Sequence, residues 1–121
     1  MTDIHDLDAL RLLHRIGGTE FLRSIITVFI AQAPLQIGAV ERGIKDRDFT
    51  AVGQACHSLK SSAAQLGAAE LSRLCASGEH LAAAESWPEL MRDAAGLTPA
   101  FQAARAWLER MGHDGFTHSA Q

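Results

Sequence analysis

The sequence predicts an all-α fold: an up-and-down antiparallel four-helix bundle with a short additional N-terminal helix. Three observations lead there. Alanine and leucine recur throughout, tyrosine is absent, and no stretch strings together the β-branched and aromatic residues that a strand favours. Apolar residues return at helical spacing in every long segment. The joints between segments are only a few residues long, so each amphipathic helix has to fold back along its predecessor. With 121 residues, 47% of them hydrophobic, the chain has material for one core. The expected organisation is a bundle over residues 1–111 and a loose tail over 112–121.

The elements follow in order. Leu7, Leu10, Leu13 and Ile16 repeat behind Asp6, a suitable N-cap, giving a short helix over residues 6–15 that Gly17-Gly18 ends. Thr19 is expected to cap a long second helix whose stripe runs through Leu22, Ile25, Ile26, Phe29, Ile30, Ala33, Ile37, Val40 and Ile44. Pro34 is expected to kink or split it. Asp46-Arg47-Asp48 is a polar joint. Val52, Cys56, Leu59, Ala63 and Leu66 then mark a third helix over residues 48–66, stopped by Gly67. Leu71, Leu74, Cys75, Gly78 and Leu81 mark a fourth over 68–85. Ser86-Trp87-Pro88-Glu89 reads as a capping box opening a fifth, with the stripe Leu90, Ala94, Leu97, Phe101, Ala104 and Leu108 and a bend expected at Pro99.

Charge and composition exclude several classes. Fourteen acidic against eleven basic residues give a formal net charge of −3, and the basic residues are scattered, which argues against nucleic acid as a partner. The longest apolar run, from Ile25 to Leu35, is interrupted by Thr27, Gln32 and Pro34 and is shorter than the ~20 residues that span a bilayer, so no membrane segment is expected. The acidic start lacks the basic and apolar blocks of a secretory signal, which makes the cytoplasm the expected compartment. The two cysteines, Cys56 and Cys75, read as reduced core residues. His113 and His118 match no metal-ligand spacing, no Glu-x-x-His pair occurs, and no metal site is expected. Gly17-Gly18 has neither the spacing nor the following lysine of a phosphate-binding loop.

The chemistry concentrates on the third helix. At about 100° per residue, the core stripe centres roughly opposite His57, which therefore points outward and shares its face with Gly53, Lys60, Ser61 and Ala64. Gly53, Ser61 and Ala64 are small and leave the imidazole clear on a flat patch that another protein can approach, with Gln54 and Gln65 bordering it as further docking positions. A glycine within a helix is costly, so Gly53 asks for a reason. Lys60, one turn along, can bring an ammonium to whatever His57 holds, and would steady the charge of a phosphoryl group. If the following turn centres on Gly67-Ala68, His57 stands opposite residue 78 or 79. Glu79 is then the polar partner that can accept a hydrogen bond from one ring nitrogen, fix the tautomer and leave the other nitrogen's lone pair free.

The segment Cys56-His57-Ser58-Leu59-Lys60-Ser61-Ser62-Ala63-Ala64-Gln65-Leu66-Gly67-Ala68 resembles the signature of histidine-containing phosphotransfer domains. The resemblance extends through Gly18-Thr19-Glu20-Phe21-Leu22, the Ala33-Pro34 step and Arg47-Asp48 to Leu71 through Glu79, covering about residues 6–85. It implies a bundle whose exposed histidine, His57, takes a phosphoryl group from the aspartate of one receiver domain and passes it to the aspartate of another. Lys60 would stabilise the charge, Glu79 would stand near the ring, and Ser61 and Gly67 would keep the approach open. The implied partners are response-regulator receiver domains and a hybrid sensor histidine kinase, met by a monomer. No cofactor of its own is expected, the divalent metal usual in phosphoryl transfer coming from the receiver's acidic site. Three positions depart from the pattern: Cys56 stands where alanine is common, Ser61 where glycine is frequent, and Gly78 where a larger apolar residue is usual. The competing expectation is a non-catalytic helical adaptor that docks a receiver domain or another helical partner.

Overall fold

A computed structural model describes residues 5–112. Its helices are α1 (Leu7–Lys45), α2 (Phe49–Gln65), α3 (Ala69–Ala83), α4 (Trp87–Ala95) and α5 (Leu97–Arg110). The expected tail lies outside the described residues except for Gly112, whose carbonyl accepts a hydrogen bond from Arg23 Nε at 2.9 Å. His113 and His118 also lie outside them.

The first two expected helices form one run with a break inside it. Asp6 caps the start, its side chain accepting from the backbone N–H of Asp8. Gly18 then adopts φ 83°, ψ −174°, a conformation open to glycine and strained for other residues. Thr19 has its hydroxyl 3.1 Å from Nε2 of His14, across that break. Pro34 does not split the helix: Gly18 is the one residue of α1 with non-helical dihedrals. Pro34 lies on the exposed face, where water can replace the N–H it lacks.

Three-residue joints return the chain twice. Asp46 ends α1, Arg47 takes a positive φ of 55°, and the Asp48 carboxylate accepts from Ala51 N, starting α2. At the other end of α2, Gly67 has φ 75° and its carbonyl receives the Asp6 N–H at 2.7 Å. This bond ties the start of α1 to the α2–α3 turn. Because the joints are so short, α1, α2 and α3 run antiparallel in sequence.

The last helix differs from expectation. It is two helices, and the break falls at Gly96, which is both the C-cap of α4 and the N-cap of α5. Pro99 sits in the first turn of α5, where its missing N–H has no intrahelical partner to lose, and therefore bends nothing. Ser86 and Glu89 do meet at the start of α4, though side chain to side chain: Ser86 Oγ donates to Glu89 Oε2, and no side-chain cap bond reaches the backbone.

The core lies between α1, α2, α3 and α5, with Leu90 of α4 closing one side. Leu10, Leu22, Leu59, Leu66, Leu71, Leu97 and Leu108 are essentially inaccessible, and Phe29 of α1 meets Phe101 of α5 at 5.9 Å between ring centroids. Burying such leucines contributes about 1.5–3 kcal/mol each relative to exposure. By length and composition α1 could cross a membrane, its most apolar window having a mean hydropathy of 1.4. Its stripe Leu22, Ile26, Phe29, Ala33, Ile37 and Val40 is instead the wall of the core, while the exposed Val28 and Leu35 account for part of the apolarity.

Candidate functional site

The site is built by the α2–α3 hairpin. Val52, Cys56, Leu59 and Ala63 turn one face of α2 into the core, so His57 projects from the opposite side with its side chain 62% exposed. His57 thus lies outside the core, as the helical spacing of α2 implies. Lys60 is one turn farther along and half-buried; Gly53 is half-buried, and Gln54, Ser61, Ala64 and Gln65 are exposed around it. Ser61 Oγ donates back to the carbonyl of His57, and Ser62 Oγ to that of Ser58. Both hydroxyls are therefore occupied within α2, and the surface beside His57 stays low.

Glu79 comes from α3 at the height the turn predicts. Its Oε2 lies 2.8 Å from His57 Nδ1 and its Oε1 2.6 Å from Lys60 Nζ. One carboxylate thus joins both side chains. The Lys60 hydrogen bond chiefly holds the Glu79 carboxyl below the usual carboxylate range; desolvation opposes it, and the His57 bond adds a smaller lowering. Ionised, it can only accept, so Nδ1 is the donor to it. In the neutral ring Nε2 then carries the lone pair, on a side chain that is mostly exposed.

Below these polar groups the two helices approach closely. Gly78 is buried, and a Cβ built on it would lie 2.9 Å from Cys56 Sγ. Ser72 Oγ donates to the Lys60 carbonyl at 3.3 Å, a second tie between the helices. Cys56 and Cys75 are both buried and free. Burial pushes their thiols up to about 11 and about 12, so both stay protonated.

Grooves run along both sides of α2, and one of them passes over the histidine. An open one of 610 Å³ runs along α2 and α3 over Gly53, His57, Glu79 and Ala82 towards Phe49. Beyond its end Phe49 stacks on Trp87 at 3.8 Å, with the Arg47 guanidinium 5.2 Å from the Trp87 ring centroid. The other, of 330 Å³, lies between α1 and α2 and is lined by Ile25, Val28, Leu59, Ser62, Gln65 and others. Reasoning from the sequence missed both the Phe49–Trp87 stack and the Cys56–Gly78 contact. The departures at Cys56 and Gly78 from the resembled pattern were the available signal for the second. Among the described residues no group of three or more His, Cys, Asp or Glu side chains could hold a metal ion.

A helical bundle that presents a solvent-facing imidazole beside a lysine defines a class, and comparison assigns it. The Hpt domain profile matches residues 24–111, and the chain belongs to the Hpt family of histidine-containing phosphotransfer domains. The crystal structure of histidine-containing phosphotransfer protein B (HptB) from Pseudomonas aeruginosa PAO1 superposes with a TM-score of 0.87 at 16% identity. That alignment covers 95% of this chain and 99% of HptB, and at this identity it speaks for the fold. A search of curated proteins returns no match.

Proposed function

We propose that this domain is a phosphorelay intermediate that receives a phosphoryl group on Nε2 of His57 from a receiver-domain aspartate and delivers it to another. The observation that carries the reading is the bond from His57 Nδ1 to Glu79, which leaves the lone pair on Nε2 of a mostly exposed side chain. In the forward step the Nε2 lone pair forms the P–N bond as the P–O bond to the aspartyl carboxylate breaks, and the carboxylate leaves with the electron pair. Nδ1 keeps its proton on Glu79 throughout, so the ring becomes a cation balanced by that carboxylate. The second step reverses this: an aspartate oxygen of another receiver attacks phosphorus and the ring departs neutral.

Lys60 supplies the nearby positive charge for the transferred group, reaching it by releasing Glu79. A divalent metal for the transfer would be held by the acidic site of the receiver. The low surface around Gly53, Gln54, Ser61, Ala64 and Gln65 lets that partner come close. Its partners are the receiver domains of response regulators and of a hybrid sensor kinase, which it meets as a cytoplasmic monomer. An adaptor that only docked would have no use for a free Nε2 beside a lysine.

Incubation with a receiver domain carrying labelled phosphoaspartate tests this. Label should move to the chain as an acid-labile, base-stable phosphoramidate, and none should arrive from ATP alone. Docking without label transfer would favour the adaptor.

A further inference from the structure

We infer that Cys56 and Gly78 form a size-matched pair that sets the separation of α2 and α3 and so positions Glu79 against His57 and Lys60. The inference deepens the proposed phosphotransfer role, on which its kinetic consequence rests. Each member precedes a site residue in the chain and points inward: Cys56 is 1% exposed, and Gly78 is buried. Next door, the two bonds from Glu79 span the same interface at 2.8 and 2.6 Å. Hydrogen bonds of this kind depend on distance and alignment, both of which change if the helices part.

The tight point is specific. A Cβ at Gly78 would meet Cys56 Sγ at 2.9 Å, while its next neighbours, Leu90 Cδ1 at 3.7 Å and Cys56 Cβ at 3.9 Å, are at ordinary contact distance. Sulfur alone stands in the way of a side chain at position 78. The thiol is enclosed by the core and has one rotor, so α3 would have to move outward by about half an ångström to restore contact distance, carrying Glu79 with it. One turn along, the Cβ of a side chain at Gly53 would lie 3.7 Å from Ala82 Cβ, so the interface is tight at Cys56 and relaxed beyond it. Removing the sulfur should make alanine at 78 acceptable, which separates a positioning role from a general intolerance of substitution.

The test uses the full chain and two readouts: the ¹⁵N shifts of the His57 ring, which report where its proton sits, and the rate of phosphoryl uptake from a phosphorylated receiver. Gly78→Ala should move the ¹⁵N pattern towards the tautomer mixture of a free imidazole and slow uptake about threefold, no more than loss of the Glu79 carboxylate itself would. Cys56→Ala/Gly78→Ala should restore the pattern and return uptake to about the parent rate. An unchanged pattern in Gly78→Ala, or a folded double variant that regains neither property, would overturn the inference. Should Gly78→Ala not fold, the double variant decides by its own pattern, parent-like for the pair and free-imidazole-like against it. The ring spectrum needs no phosphoryl group, so a failure of the phosphotransfer reading, seen as uptake persisting in His57→Gln, is distinguishable from a failure of the pair.

Discussion

Glu79 Oε2 accepts from His57 Nδ1 at 2.8 Å across two helices, while the other oxygen of the same carboxylate holds Lys60. The ring's orientation and the lysine's position are thus coupled through a single side chain. Disturbing any one of the three should be felt at the other two.

Lys60→Ala should slow phosphoryl uptake by about 10- to 100-fold, the range for losing one preorganised donor to a transition-state charge being up to about 10³. Helicity should be unchanged, since Lys60 is half-buried and lies off the core stripe. Stopped-flow transfer kinetics beside far-ultraviolet circular dichroism check both halves, and parent-like rates would remove Lys60 from the reaction.

Glu79→Ala should cost less, about three- to tenfold, because Nε2 remains accessible and only the tautomer bias is lost. The carboxyl's titration gives a second check. Its value lies below the ordinary 4.5 chiefly through Lys60. A carboxyl depressed in the folded state contributes stability above the unfolded value and loses it as pH falls through the folded one. A ¹³C titration of Glu79 should therefore show a midpoint below 4.5 in the parent and a rise on Lys60→Ala. A midpoint that ignores Lys60 would mean the pair does not persist in solution.

Gly67→Ala should destabilise the bundle by about 2 kcal/mol. The position has φ 75°, and an added Cβ would fall 2.2 Å from the Asp6 carbonyl oxygen, where backbone cannot yield cheaply. Urea unfolding should show a lower midpoint, and an unchanged midpoint would mean that the α1 start does not rest on the turn.

Asp48→Ala should cost about 1 kcal/mol, the usual loss for an N-cap, because its carboxylate accepts from Ala51 N at 3.0 Å. Thermal unfolding measures this directly.

Much of this arrangement could be read from the sequence, for reasons that particular residues make clear. His57 was placed outside the core by angle alone, since the apolar residues of α2 leave only one face for it. The register that sets Glu79 opposite His57 is legible because a hairpin with its turn at Gly67 has few possible registers, and the glycine marks the turn chemically. What failed was local competition between breakers. Pro99 and Gly96 both signal an interruption, and periodicity does not show that a proline in a first turn is harmless while a glycine three residues earlier ends the helix. Pro34 does not split α1, and its exposure, which lets water serve the carbonyl left without a partner, is set by tertiary packing. The Cys56–Gly78 fit depends on facing side chains from two helices and has no signature along one chain.

The most direct measurement of the central claim is label transfer from a phosphorylated receiver to the parent chain and to His57→Gln, with circular dichroism on both. The account predicts stoichiometric acid-labile label on the parent, located at His57 by mass spectrometry under neutral conditions, and none on an equally helical His57→Gln. Label retained by His57→Gln, or located on any residue other than His57, would contradict it.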